Sequence, residues 1–96
     1  MALLFEWDPK KARSNLAKHG VSFDEASAVF RDTLSITIHD PLHSENEKRF
    51  VLIGCSSRNR LLVVAHAERG NQIRIISARR AAGRERLRYE EDARRS

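Results

Sequence analysis

Three aliphatic runs in the second half of the chain and two helix-start signals in the first half predict a small α+β fold. The runs cover 48–54, 61–67 and 72–77, each short, rich in β-branched or aliphatic residues, and bounded by turn material. Ser56-Ser57-Arg58-Asn59-Arg60 separates the first two and Arg69-Gly70-Asn71 the last two, spacings that suit an antiparallel meander. The helix starts are Asp8-Pro9 and Ser22-Phe23-Asp24-Glu25. The prediction is one domain over residues 1–96, with an antiparallel sheet in the order β-α-α-β-β-β-β-α. Its core spans about 3–77, and a basic helix spans 78–96.

Residues 3–7 read as an opening strand. Asp8 is a side-chain acceptor at an N-cap, and Pro9 is pre-set for the first helical position. Ala12 and Leu16 form a narrow apolar stripe, and Gly20 supplies a left-handed stop. Lys18 and His19 fall in the last turn, where cations complement the helix dipole. Ser22 and Glu25 have capping-box spacing, with Val21 and Ala26 at the staple positions. The second helix carries Phe23, Ala26, Val29 and Phe30 on one side and ends near Asp32. Residues 34–38 alternate with period two and predict a strand.

A polar connection over 39–47 follows, holding His39, His43 and three acids. It lacks a Cys partner and helical His-x-x-x-His spacing, so no metal site or other cofactor is expected. Within the three runs, alternation sets Arg74 opposite Ile73 and Ile75, and His66 opposite Ala65 and Ala67. Charge on one face and aliphatics on the other predict one covered side and one wet side, the wet side carrying function. Arg49 shares its face with Val51 and Ile53, which calls for a bulge near that strand's start or a place at the rim. Ser77 is expected as the N-cap of the last helix rather than a nucleophile.

The chain has 96 residues, a formal charge of +5, and fourteen arginines against four lysines. Arginine's planar, permanently charged fork suits phosphate, so a polyanionic substrate or partner is expected. No apolar run approaches the length of a membrane span, and Met1–Phe5 is too short for a signal peptide. Cys55 stands alone, which excludes an internal disulfide and fits a reducing cytoplasm.

Four blocks carry a family likeness: Phe5-Glu6-Trp7-Asp8-Pro9-Lys10-Lys11; Asn15-Leu16-Ala17-Lys18-His19-Gly20-Val21-Ser22-Phe23; Glu47-Lys48-Arg49 with Ile53-Gly54; and Arg74-Ile75-Ile76-Ser77-Ala78-Arg79 with Glu85-Arg86 and Tyr89-Glu90. The chain resembles the BrnT family of type II toxins, small ribonucleases with a RelE-like fold, over about residues 5–91. The resemblance implies an RNase that stops translation and is held inactive by a BrnA-like antitoxin. That antitoxin has a ribbon-helix-helix DNA-binding part, and operator DNA is met only through the complex, which represses its own operon.

RNA cleavage without a metal must deprotonate the 2′-hydroxyl, stabilise the phosphorane oxygens and protonate the 5′-oxygen. Arg49, Arg74 and Arg79 are the candidates for phosphate; Glu47, Glu68, His66 and His19 are the candidates for proton transfer. Lys18, His19, Arg60 and Arg80 are the expected RNA-binding cations. The alternative is a non-catalytic basic module that binds a partner protein or DNA. Convergence of acids and histidine with Arg49 and Arg74 on one face separates the two.

Overall fold

A computed structural model of the chain describes residues 3–41 and 47–95. Much of the polar connection, His43 and Glu45 included, and the expected helix end at Ser96 lie outside the described residues. The elements are β1 (Leu4–Glu6), α1 (Pro9–His19), α2 (Phe23–Ala28), a 3-10 turn (Val29–Arg31), β2 (Ile36–His39), β3 (Lys48–Cys55), β4 (Leu61–Arg69), β5 (Gln72–Arg80) and α3 (Gly83–Arg95). This is the expected order. The sheet runs β1-β5-β4-β3-β2. Strands β2 to β5 form the antiparallel meander, whereas β1 joins β5 in parallel, Leu4 beside Gln72 and Glu6 beside Arg74.

Local signals act where the sequence placed them. Asp8 Oδ1 accepts from the Lys10 amide at 2.8 Å, and Gly20, at φ 69°, donates its N–H to the Leu16 carbonyl. Ser22 Oγ accepts from the Glu25 amide at 3.0 Å. Glu25 does not return that bond. Its buried carboxylate instead takes Ser56 Oγ at 2.7 Å and both Nε and Nη2 of Arg60.

The main core lies where α1 and α2 cover the sheet. Val21, Phe23, Ala26 and Val29 pack on Leu52, Leu62, Val64, Ile73, Ile75 and Ala78. Burying each large aliphatic side chain stabilises by about 1.5–3 kcal/mol. Gly54 permits the closest approach: a Cβ there would stand 2.8 Å from Val29 Cγ1 and 2.9 Å from Ser35 Cβ. A smaller cluster of Ile53, Leu61 and Val63 fills the opposite face, with Ile38, Val51, Ala81 and Tyr89 packed against it. That face is therefore covered at one end and open at the other.

Three expectations are corrected. Ser77 is a strand residue, not a helix cap, because β5 continues: Ala78, Arg79 and Arg80 pair with Val64, Val63 and Leu62. The last helix starts at Gly83 instead of 78. Second, β2 is shifted toward the C-terminus of 34–38, since Asp32 Oδ1 takes the Leu34 amide and its carbonyl takes the Ser35 amide, holding both in a turn. Third, the bulge lies in β5, not near Arg49. Ala65 pairs with Ser77 and His66 with Ile75, leaving Ile76 without a rung. Arg49 resolves as a rim residue, one step beyond the apolar cluster that includes Val51 and Ile53.

Candidate active site

Pairing across the sheet fixes which side chains meet. Arg49 on β3 pairs with Ala67 on β4, and Ala67 pairs with Arg74 on β5. The next row is Val51, Ala65 and Ser77, and the next Ile53, Val63 and Arg79. Side chains within a row share a face, here the one opposite Ile73 and Ile75. Ala67, between Arg49 and Arg74, is fully buried, whereas Ala65 in the next row is partly exposed. A recess of about 210 Å³ opens beside Arg49 and Ala65, lined also by Asp40, Phe50, His66 and Ile76.

Glu47 gathers the arginines. Its Oε2 takes Arg69 Nη2 at 2.8 Å and Nε at 3.1 Å. Its Oε1 lies 3.1 Å from Arg74 Nη2 and 3.9 Å from Arg49 Nη2. The Arg69 hydrogen bonds lead, the charges of Arg74, Arg69 and Arg49 add to them, and together they outweigh desolvation to hold the carboxyl below its usual range. Glu47 is thus ionised at neutral pH, and a weak base while so paired. Arg49 and Arg74 each keep about a third of their side-chain surface in solvent (35 %), whereas Glu47 keeps 12 %.

Arg79 shares this face but is engaged by Glu85 of α3, Nη1 to Oε1 at 2.8 Å and Nη2 to Oε2 at 2.7 Å. That pairing comes first, before the Ala82 amide and the Arg84 charge, and against desolvation it drives Glu85 down to about 2.

His66 and Glu68 do form a pair, Nε2 to Oε2 at 3.1 Å, but across the sheet from the arginines. His66 pairs with Ile75 and Glu68 with Ile73, residues of the covered face. The His66 ring is buried between Phe30, at 4.8 Å, and Phe50, at 5.7 Å, and its Nδ1 meets no hydrogen-bond partner among the described residues. The expectation that charge sorts to one face is corrected here: Ala65 and Ala67 face the arginines, and His66 lies among aliphatics and aromatics. There Phe50 stacks on the imidazole and Phe30 meets it edge-on, so aromatic rings and not the helices cover it.

The remaining candidates separate. Lys18 and His19 line a second recess of about 200 Å³ with Lys11, Ser14, Asn15, Ile76 and Ser77. Arg60 is bound to Glu25 and donates Nη2 to the Gly20 carbonyl at 3.0 Å, fastening the β3–β4 turn to the helices. Arg80 is exposed at the end of β5. Sequence reasoning missed Arg69, read as a turn residue, although it sits two places from Ala67 and so on the same face. It also missed Asn15, whose weak helix propensity at a buried helical position was the available signal. Among the described residues no group of three or more His, Cys, Asp or Glu is placed to hold a metal ion, and no helix is long and apolar enough to cross a membrane.

In this small α+β domain, guanidinium groups set around a carboxylate on one sheet face offer the kind of charged donors that suit phosphate. The family model described as the ribonuclease toxin BrnT of type II toxin-antitoxin systems matches residues 7–85. The 1.1 Å crystal structure of the Brucella abortus ribonuclease toxin BrnT is similar, with a TM-score of 0.59 and 29% identity, covering 85% of this chain and 97% of that one. No curated protein matches the chain in sequence. The chain belongs to the BrnT family of ribonuclease toxins of type II toxin-antitoxin systems.

Proposed function

We propose that this chain cleaves RNA without a metal ion at the face formed by Glu47, Arg49 and Arg74. The row Arg49–Ala67–Arg74 carries the reading, because it holds two partly exposed arginine side chains on either side of a small residue. A phosphodiester bridging Arg49 and Arg74 would receive charge-assisted hydrogen bonds from both, and negative charge building on the phosphorane oxygens would strengthen them. The 2′-oxygen attacks phosphorus, the bond from phosphorus to the 5′-oxygen breaks as that oxygen takes a proton from water, and the products are a 2′,3′-cyclic phosphate and a 5′-hydroxyl. Phosphate replaces Glu47 as the partner of Arg49 and Arg74, and losing those two charges raises the basicity of a carboxylate still held by Arg69, just where the 2′-proton must go. Arg79 stands two rows away as a further phosphate contact. His66 and Glu68, across the sheet, support β4 from below and act on the reaction through its position.

A cognate antitoxin resembling BrnA, with a ribbon-helix-helix part, would cover the same face, and the complex would repress its own operon. Operator DNA is then reached through the antitoxin alone.

The test is cleavage of RNA by the purified chain, with the product ends identified. Arg49→Ala or Arg74→Ala is expected to lose about 2 kcal/mol of transition-state stabilisation, roughly thirtyfold in rate. Lys at either position restores part of that, keeping the charge without the fork. Glu47→Gln is expected to change the shape of the pH–rate profile, and His66→Ala and Glu68→Ala only its height. Activity abolished by EDTA and restored by a divalent ion would overturn the metal-free reading. Undiminished cleavage by the Arg49→Ala/Arg74→Ala double variant would remove this face from the reaction and favour a non-catalytic basic module.

A further inference from the structure

We infer that the recess between α1 and β5 is a track for the RNA strand flanking the scissile phosphate, with its ribose-phosphate backbone held by Lys11 and Lys18. The inference rests on the ribonuclease reading of the arginine face and extends it to a second surface.

Continuity is the first ground. Ile76 lines both the arginine recess and the α1 recess, so the two hollows share a wall at the bulge of β5. The outer edge of β5 is also open to such a crossing. Strand β1 pairs only with Gln72, Ile73 and Arg74, and past that point β5 faces α1. A strand leaving the Arg74 position toward Ser77 therefore meets no intervening strand.

Spacing is the second ground. Lys11, Ser14, Asn15 and Lys18 are three, four and seven positions apart, one stripe of α1, with His19 beside it. Asn15 is occupied in holding Ala78. The two lysines lie two turns apart along the axis, with the hydroxyls of Ser14 and Ser77 in the same recess.

Charge is the third. α1 carries Lys10, Lys11, Arg13 and Lys18 and no acidic residue, whereas α3 sets Glu85, Glu90, Glu91 and Asp92 against its five arginines. Six arginines are answered by carboxylates across the fold: Arg58 and Arg60 by Glu25, Arg49, Arg69 and Arg74 by Glu47, and Arg79 by Glu85. Among the described residues neither Lys11 nor Lys18 forms an ion pair. By composition α1 is a helix of cations with no carboxylate of its own, whereas α3 carries nearly as many acids as arginines. A lysine offers a phosphate a point charge without reading a base, so the track sets length and position rather than sequence.

The test compares Lys11→Gln/Lys18→Gln with a charge-matched control, Arg94→Gln/Arg95→Gln at the end of α3. Binding of a 2′-O-methyl single-stranded oligonucleotide, which cannot be cleaved through its 2′-position, is followed by fluorescence anisotropy from 50 to 200 mM salt. Two lost phosphate contacts make the slope of log K against log salt shallower by about 1.4, at about 0.7 per phosphate on a single strand. The control is expected to keep the wild-type slope. On cleavable RNA the lysine variant is expected to show a raised KM with kcat retained. Equal slopes for both variants, or an unchanged KM, would overturn the track while leaving the arginine site standing, provided Arg49→Ala/Arg74→Ala still abolishes cleavage. Weakened antitoxin binding with intact RNA binding would overturn it too, making the stripe a protein-docking surface. Wild-type protein that neither binds nor cleaves RNA would defeat the ribonuclease reading itself and the track with it.

Discussion

Asn15 does for β5 what a neighbouring strand would have done. Its Nδ2 donates to the Ala78 carbonyl at 2.8 Å and the Val21 carbonyl at 3.0 Å, and its Oδ1 accepts from the Ala78 amide at 3.1 Å. Buried backbone groups left without partners are costly, so one side chain here satisfies three of them. Asn15→Ala is expected to lower stability by about 3 kcal/mol in urea unfolding, and Asn15→Asp by at least as much, because it forfeits both donated bonds and buries a charge. A loss under about 1 kcal/mol for both would show that the edge finds other partners. This role was illegible in the sequence because Ala78 lies 63 positions away. Glu25 shows the opposite case. Ser22-x-x-Glu25 announced a helix start correctly, yet the carboxylate was drawn to Arg60 and Ser56, a choice only tertiary packing makes.

At the scale of elements, α3 has the least secure attachment. It has no buried residue and is fastened at two points. Tyr89 donates its hydroxyl to Asp32 Oδ2 at 2.6 Å, and burial together with that bond raises the phenol above its ordinary range. At the other point Glu85 takes Arg79 twice and the Ala82 amide once, at 2.7 Å, as an N3 carboxylate capping its own helix. Glu85 falls from 4.5 to about 2 on folding, so the folded chain binds the proton more weakly than the unfolded one. Its contribution is full above about pH 4.5 and disappears as the pH falls toward 2. The stability difference between wild type and Glu85→Gln, followed by urea unfolding, is expected to be largest near neutral pH and to shrink through that window. A difference that persists at pH 2 would sink this account. The strands and the first two helices were legible because caps and alternation are local. The start of α3 was not, since Ser77-Ala78-Arg79 reads locally as a cap and becomes strand only by pairing with Val63 and Val64.

For the whole molecule, the open issue in the sequence was which side of the sheet the helices cover. Residues 61–67 are apolar on both faces, so alternation alone did not orient His66. Once α1 and α2 settle on the face of Leu62, Val64 and Ile75, Arg49 and Arg74 must point the other way, and α3 shades only the far end. An antitoxin that inhibits by covering should therefore protect Arg49 and Arg74 together. Guanidinium-directed labelling of the complex is expected to spare both, and full labelling of the pair in an inhibited complex would rule out masking. The bulge has one more consequence, which is a matter of counting. Ser77 sits opposite Ala65 and Ile75 opposite His66, so β5 spends three residues where β4 spends two. A chain without Ile76 would still match every rung, and Arg74, Ser77 and Arg79 would keep their sides. What would vanish is the extra link where the two hollows touch, so the connection between them is written in the length of the chain and not in any charged residue.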